Sequence, residues 1–217
     1  MIHISKFKLN KRVLNSELYR GLSSKKVETL AYDEAEKRAN VAKKTMIKEF
    51  NQSAITQELD AGAANTKNIS RTLTGIPYGA ASLFGFIGFD EGAKPTEIVR
   101  EYLKDMGYVF KKGKFTKRIT GGRYIFQVEV PVLSEITPLT PMPWEGGRSW
   151  IRGIERGISG LSYFMATKFR VNSRSGQGIQ ITNKYFSGAT YKASKYFSAI
   201  ANNFIQRLEG RQPKVVV

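Results

Sequence analysis

A single histidine, His3, no cysteine and eighteen carboxylates bound the chemistry open to this chain. Metal sites need clustered His, Cys or carboxylate ligands, and nucleophilic triads need a base beside the Ser or Cys. With only His3 near the start of the chain, neither is expected; a Ser and Lys dyad stays formally open. Carboxylate pairs such as Glu129 with Glu135 or Glu145 with Glu155 are formally available, but any chain with this many acids offers such pairs. Gly85, Gly88 and Gly92 are not followed by the Gly-Lys-Ser/Thr ending of a phosphate loop and do not have the dinucleotide spacing. The residues therefore predict a protein that is not an enzyme, with no cofactor, no metal and no small-molecule substrate.

What the chain does have in excess is positive charge. Thirty-five Lys and Arg against eighteen Asp and Glu leave a formal +17 and a pI near 10, a field that attracts polyanions and acidic protein surfaces alike. Arg156, Lys168, Arg170, Arg174, Lys184, Lys192, Lys195 and Arg207 follow one another with no acid between them. Basic and aromatic residues interleave at Lys184, Tyr185, Phe186, Tyr191, Lys192, Lys195, Tyr196 and Phe197. Stacking combined with phosphate contacts would use that composition; alternatively Phe186 and Phe197 are core and the lysines are solvated. No RNA-recognition or zinc-finger signature accompanies them.

The elements that must position these residues are legible in part. With 217 residues, 41% of them hydrophobic, the chain can bury a core. The opening MIHISKFKLN lacks a signal-peptide core, and no stretch reaches about 18 apolar residues, so neither secretion by that route nor a membrane span is expected. Ile2, Ile4 and Leu9 predict a short strand. A long helix is predicted over 24–50, capped by Ser23 or Ser24, with Val27, Leu30, Ala31, Ala35, Ala39, Ala42, Met46 and Phe50 on one face. Over 51–95 the glycines predict strands and loops, the run 83–89 being either a buried strand or a docking loop. Pro95 opens a short helix that ends at Gly107. Strands at 108–110 and 123–130 predict a protruding basic hairpin over about 107–130. Pro131, Pro138, Pro141 and Pro143 predict an extended, exposed segment over 131–147. Ser149 caps a helix whose stripe is Trp150, Ile151, Ile154, Ile158, Leu161 and Met165, with Gly153, Gly157 and Gly160 forming a side against which something packs tightly. Those glycines resemble a membrane dimerisation pattern, but Arg148, Arg152, Glu155 and Arg156 in the same turns favour packing against protein. A loop, a brief strand at 179–181 and another loop precede an amphipathic helix over 190–208, and 210–217 is expected to fray. The whole reads as one α+β domain over 1–217: an antiparallel sheet with a long N-terminal helix, a C-terminal amphipathic helix, an extended hairpin and loops.

Three segments resemble virion proteins of tailed bacteriophages that join or complete head and tail, the neck and tail-completion type. The first is the long helix followed by NQSAITQELDAGAANTKNIS and LFGFIGFDEGAKPTEIVREYL; the second is MPWEGGRSWIRGIERGISGL; the third is NSRSGQGIQI with the closing helix. The resemblance implies a structural subunit of the virion, assembled in the host cytoplasm as a six-fold or twelve-fold ring at the neck or upper tail. Its implied partners are other neck, connector or tail proteins and genomic DNA, and it implies no catalytic residues. Contacts are expected from the hairpin 111–123 with Lys111, Lys112, Lys114, Lys117 and Arg118, from the turn 144–150 with Trp144, Arg148 and Trp150, from Arg174 in the loop 173–178, and from Lys184. A basic nucleic-acid-binding protein is the alternative reading, and a ribosome-associated or housekeeping basic protein comes third.

Overall fold

The computed structural model describes residues 4–10, 24–65, 67–74, 82–106, 123–143, 145–157, 163–166, 179–182 and 190–213. In chain order the elements are β1 (Ile4–Asn10), α1 (Ser24–Gln52), α2 (Ala54–Asp60), β2 (Leu73–Thr74), α3 (Leu83–Ile87), α4 (Pro95–Asp105), β3 (Arg123–Glu129), α5 (Leu133–Ile136) running into a 3-10 turn (Thr137–Leu139), β4 (Pro141–Met142), β5 (Glu145–Ser149), α6 (Trp150–Arg156), β6 (Tyr163–Ala166), β7 (Ile179–Thr182), β8 (Thr190–Tyr191) and α7 (Phe197–Leu208). The fold is mixed helix and antiparallel sheet, and among the described residues no helix is long and apolar enough to cross a membrane.

The strands described form separate antiparallel pairs, β1 with β3, β2 with β8, β4 with β5 and β6 with β7, and not one sheet. β3 aligns along its full length with β1, Ile4 opposite Glu129 and Asn10 opposite Arg123. The other side of the expected hairpin, with its basic connection, lies outside the described residues.

α1 buries Ala31, Ala35, Ala39, Ala42, Met46 and Phe50 along one stripe, the three- and four-residue spacing of a helix that packs on one side. The alanines permit close approach to α7, which buries Phe197, Ile200, Phe204 and Leu208. Arg207 of α7 forks onto Glu49 of α1, with Nη1 donating to Oε2 at 2.9 Å and Nη2 to Oε1, the bidentate geometry in which guanidinium and carboxylate bind best. At the end of the seam Phe50 stacks on Tyr196 with ring centroids 5.8 Å apart. Arg100 lies over the same Phe50 ring while reaching Asp60, Asn51 and Thr96. Lys43 closes the C-terminal end of α4, donating to the carbonyls of Lys104 and Met106, and burial lowers its pKa.

Several expectations are corrected. Residues 51–95 hold helices α2 and α3 as well as loops. The run 83–89 is a short helix, because Ser82 accepts a hydrogen bond from the Gly85 amide and Gly88, at φ +85°, ends it in the left-handed region open to glycine. The proline segment is not uniformly extended and exposed: it contains α5, Pro138 opens the 3-10 turn, and Pro131, Thr140 and Met142 are buried. Ser149 does cap α6, its hydroxyl accepting from the Arg152 amide and sharing a 2.7 Å hydrogen bond with Thr140. α6 nevertheless stops at Arg156, and Met165 belongs to β6. Gly157 has φ +89° and, among the described residues, nothing within 4 Å of a Cβ position, so it terminates the helix there. The closing helix starts at Phe197, since Thr190–Tyr191 is a strand.

Glu58 of α2 is fully buried. Its Oε2 accepts from the Ser70 amide and its Oε1 from the Leu83 amide, both at 2.6 Å. Glu58→Gln replaces one of two acceptors with a donor facing an N–H, and should cost about 1–3 kcal/mol in urea unfolding; unchanged stability would show that the clasp is dispensable.

Three tyrosines are tied inside the fold. Burial raises the pKa of Tyr196, whose hydroxyl lies 2.6 Å from Thr56. Burial and the Glu135 hydrogen bond raise that of Tyr102, and burial with the charges of Glu58 and Glu155 raises that of Tyr191. The folded chain holds these phenol protons to higher pH than the unfolded chain, whose tyrosines ionise near about 10. Stability contributed by them is present below that value and lost as pH rises past it. In an alkaline titration, part of the tyrosinate absorbance should appear only as ellipticity is lost; all ten tyrosines ionising with ellipticity intact would contradict this.

Candidate functional site: a basic surface at the β2, α6 and β8 junction

Main-chain hydrogen bonds bring together three segments that are far apart in sequence. The Lys192 amide donates to the Thr72 carbonyl at 2.7 Å, and the Ser194 amide to the Ile154 carbonyl at 3.1 Å. The Tyr191 hydroxyl donates to the same Ile154 carbonyl at 2.8 Å, and its ring stacks on Phe86 at 5.8 Å between centroids. The strand pairing of Leu73 with Tyr191 and Thr74 with Thr190 continues the seam.

Around this junction stand Arg71, Arg152, Arg156, Lys192 and Lys195, all exposed and each within two residues of one of those main-chain bonds. Arg152 and Arg156 share the outer face of α6, because Ile154 between them is buried. None of the five cations forms an ion pair among the described residues. The carboxylate nearest in sequence, Glu155, is half-buried, and its Oε1 accepts from the Ser198 amide at 2.6 Å in the first turn of α7. Favourable interaction with the helix dipole holds it there.

The loop that presents Arg71 is fixed by side-chain bonds. The Asn68 amide donates to the Leu73 carbonyl, and Ser70 and Thr72 share a 2.8 Å hydroxyl hydrogen bond. Arg71 itself has φ 55°, a left-handed backbone that costs a non-glycine residue roughly 1–2 kcal/mol. The turn that imposes this conformation carries the Arg71 amide bond to the Asn68 carbonyl and leads into the Thr72 bond to Lys192.

Of the contact residues expected from sequence, Lys111, Lys112, Lys114, Lys117, Arg118, Trp144, Arg174 and Lys184 lie outside the described residues. Arg148 is exposed at the end of β5, next to α6. Trp150 is a correction: 2% exposed, it packs edge-on to Phe89 at 5.9 Å and is core, because the first position of α6 faces inward. Tyr196 and Phe197, which the interleaved pattern offered for stacking on bases, are buried as well, and Tyr191 is half-buried. The sequence does not single out Arg71, Arg152, Arg156, Lys192 and Lys195 together, although Arg156, Lys192 and Lys195 belong to the basic run; only the tertiary pairing joins them to Arg71 and to each other. Among the described residues no three His, Asp or Glu side chains gather as a metal ion requires. Compared with known proteins, the chain matches no family model, no curated protein and no solved structure.

Replacing Arg152 and Arg156 by Gln removes a like-charge i,i+4 pair and should leave stability unchanged or raise it by about 0.2–0.5 kcal/mol. The gain should fade in about 1 M salt, where the Debye length is near 3 Å. Thermal melts at low and high salt check this; a loss above about 1 kcal/mol would make the arginines structural.

Proposed function

We propose that this chain is a structural virion protein of a tailed bacteriophage, assembling as a ring at the neck or upper tail and joining or completing head and tail. It works by contact and not by chemistry. The resemblance of the three sequence segments supports the phage assignment. The observation that supports a contact role is the array of five exposed cations, without an ion pair among the described residues, on segments joined by main-chain hydrogen bonds. Elements from two of the resembling segments bear on this array: from the first, α2 through the Glu58 bond to the Ser70 amide and α3 through Phe86 on Tyr191, and from the second α6, which carries Arg152 and Arg156. A second reading, a free nucleic-acid-binding protein, draws on the same array and differs in where the protein resides.

Proteomics of purified particles separates the two. The virion reading expects the chain in stoichiometric amounts in mature particles, and unjoined heads and tails when its gene is deleted. Trp144→Ala with Arg174→Ala is then expected to reduce the yield of joined particles; Trp150 is left intact because it holds the core. Particles that lack the protein and assemble normally would remove the virion assignment.

A further inference from the structure

We infer that the surface formed by Arg71, Arg152, Arg156, Lys192 and Lys195 binds the phosphate backbone of duplex nucleic acid, without base stacking and without sequence preference. The inference rests on the preceding reading only in taking the array to be a contact surface, and it adds the partner.

Three observations select that partner. First, three of the five cations are arginines, whose planar fork matches phosphate oxygens. With no carboxylate of the described residues paired to them, no internal salt bridge must break before phosphate binds. Second, single strands are held mainly by bases stacked on exposed aromatic rings. Among the described residues the rings of the basic run are used internally: Tyr196 and Phe197 are buried, and Tyr191 is committed to Phe86 and the Ile154 carbonyl. Third, a protein partner needs an apolar centre from which water is excluded. The large apolar side chains exposed among the described residues are Val41, Ile69, Ile98 and Leu139; three of these lie on α1, α4 and the 3-10 turn, leaving only Ile69 near the array. A polyanion requires no such centre, because its affinity comes from release of condensed counterions.

Lysine and arginine heads on main-chain supports read charge and spacing, and none of the five lies in an element long enough to enter a groove: α6 has seven residues. Direct base readout by a helix is therefore not expected.

The test is fluorescence anisotropy of the full chain with a labelled mixed-sequence duplex of about 20 base pairs, two helical turns, beside its single strand and poly-glutamate. If all five cations meet phosphates, the logarithm of the association constant falls with log salt at a slope of about −4.5, or about 500-fold weaker binding between about 50 and 200 mM. Arg152→Gln/Arg156→Gln/Lys195→Gln should make that slope shallower by about three and weaken the duplex complex at least tenfold in low salt, with circular dichroism unchanged. Lys192→Gln/Lys195→Gln is the second variant, should the first not fold, and is expected to make the slope shallower by about two. Equal duplex binding by the folded variants overturns the inference. So does tighter binding of the single strand, which would mean stacking, or poly-glutamate competing as well as duplex, which would mean an acidic protein. Absence of the protein from particles would remove the virion reading and leave these outcomes unaffected.

Discussion

A carboxylate with no contact to solvent, Glu58, holds the loop on which the basic surface is built. Taking an ion of this size out of water carries a penalty of several kcal/mol unless hydrogen bonds replace the lost hydration. The amides of Ser70 and Leu83 supply them at 2.6 Å each. One bond anchors the first turn of α3 and the other anchors the loop that leads to β2. From Ser70 the constraint passes through its hydroxyl bond to Thr72, and from the Thr72 carbonyl to the Lys192 amide. Arg71 is thus fixed relative to Lys192 by an acid neither of them touches. The same strand pairing places Tyr191 to bond Ile154, which brings α6 and its two exposed arginines to the junction.

Other acids serve as joints between elements of the fold. Glu49 is forked by Arg207, Asp60 receives Arg100, Glu135 accepts from Tyr102, and Glu155 accepts from the Ser198 amide. Each of these joins two elements of the fold. With eighteen acids against thirty-five bases, a formal +17, many cations have no acid to pair with wherever the carboxylates lie. The resulting field extends about 10 Å from each exposed charge at 0.1 M salt.

What could be read from sequence was whatever is local. The alanine stripe of α1 repeats every three or four residues, Pro95 takes the first position of α4, and the Ser149 hydroxyl lies within three residues of the amide it caps. These are signals of short range, and they were legible. Glycine frequency misled over 51–95, because Gly85 sits inside α3 with only the Ser82 hydroxyl, 3.7 Å away, near its missing Cβ, and Gly88 works as a helix terminator. Both fit helical structure that the composition seemed to forbid. Proline misled in the same way at Pro138, which opens a 3-10 turn because its fixed φ suits that position. The partner of β3 was not legible, since β1 lies more than a hundred residues earlier and nothing in either strand names the other. For the same reason the array was invisible: positions 71, 152–156 and 192–195 carry no mutual signal until β2 pairs with β8.

The aromatic residues show how burial reassigns a pattern. In sequence, Tyr191, Tyr196 and Phe197 alternate with lysines as they would in a single-strand binder, yet the structure turns the rings inward and the ammonium groups outward. The rings then act as the support: Tyr191 holds α6 through Ile154, and Tyr196 holds α2 through Thr56. A surface of this construction has firm geometry and, among the described residues, no exposed aromatic ring, so the hold on a polyanion proposed for it depends on screened charge. Such contacts form and release quickly and allow sliding along a duplex, whereas stacked or base-specific contacts would pin it. In the head-to-tail role proposed above, that distinction would decide whether bound DNA can still pass.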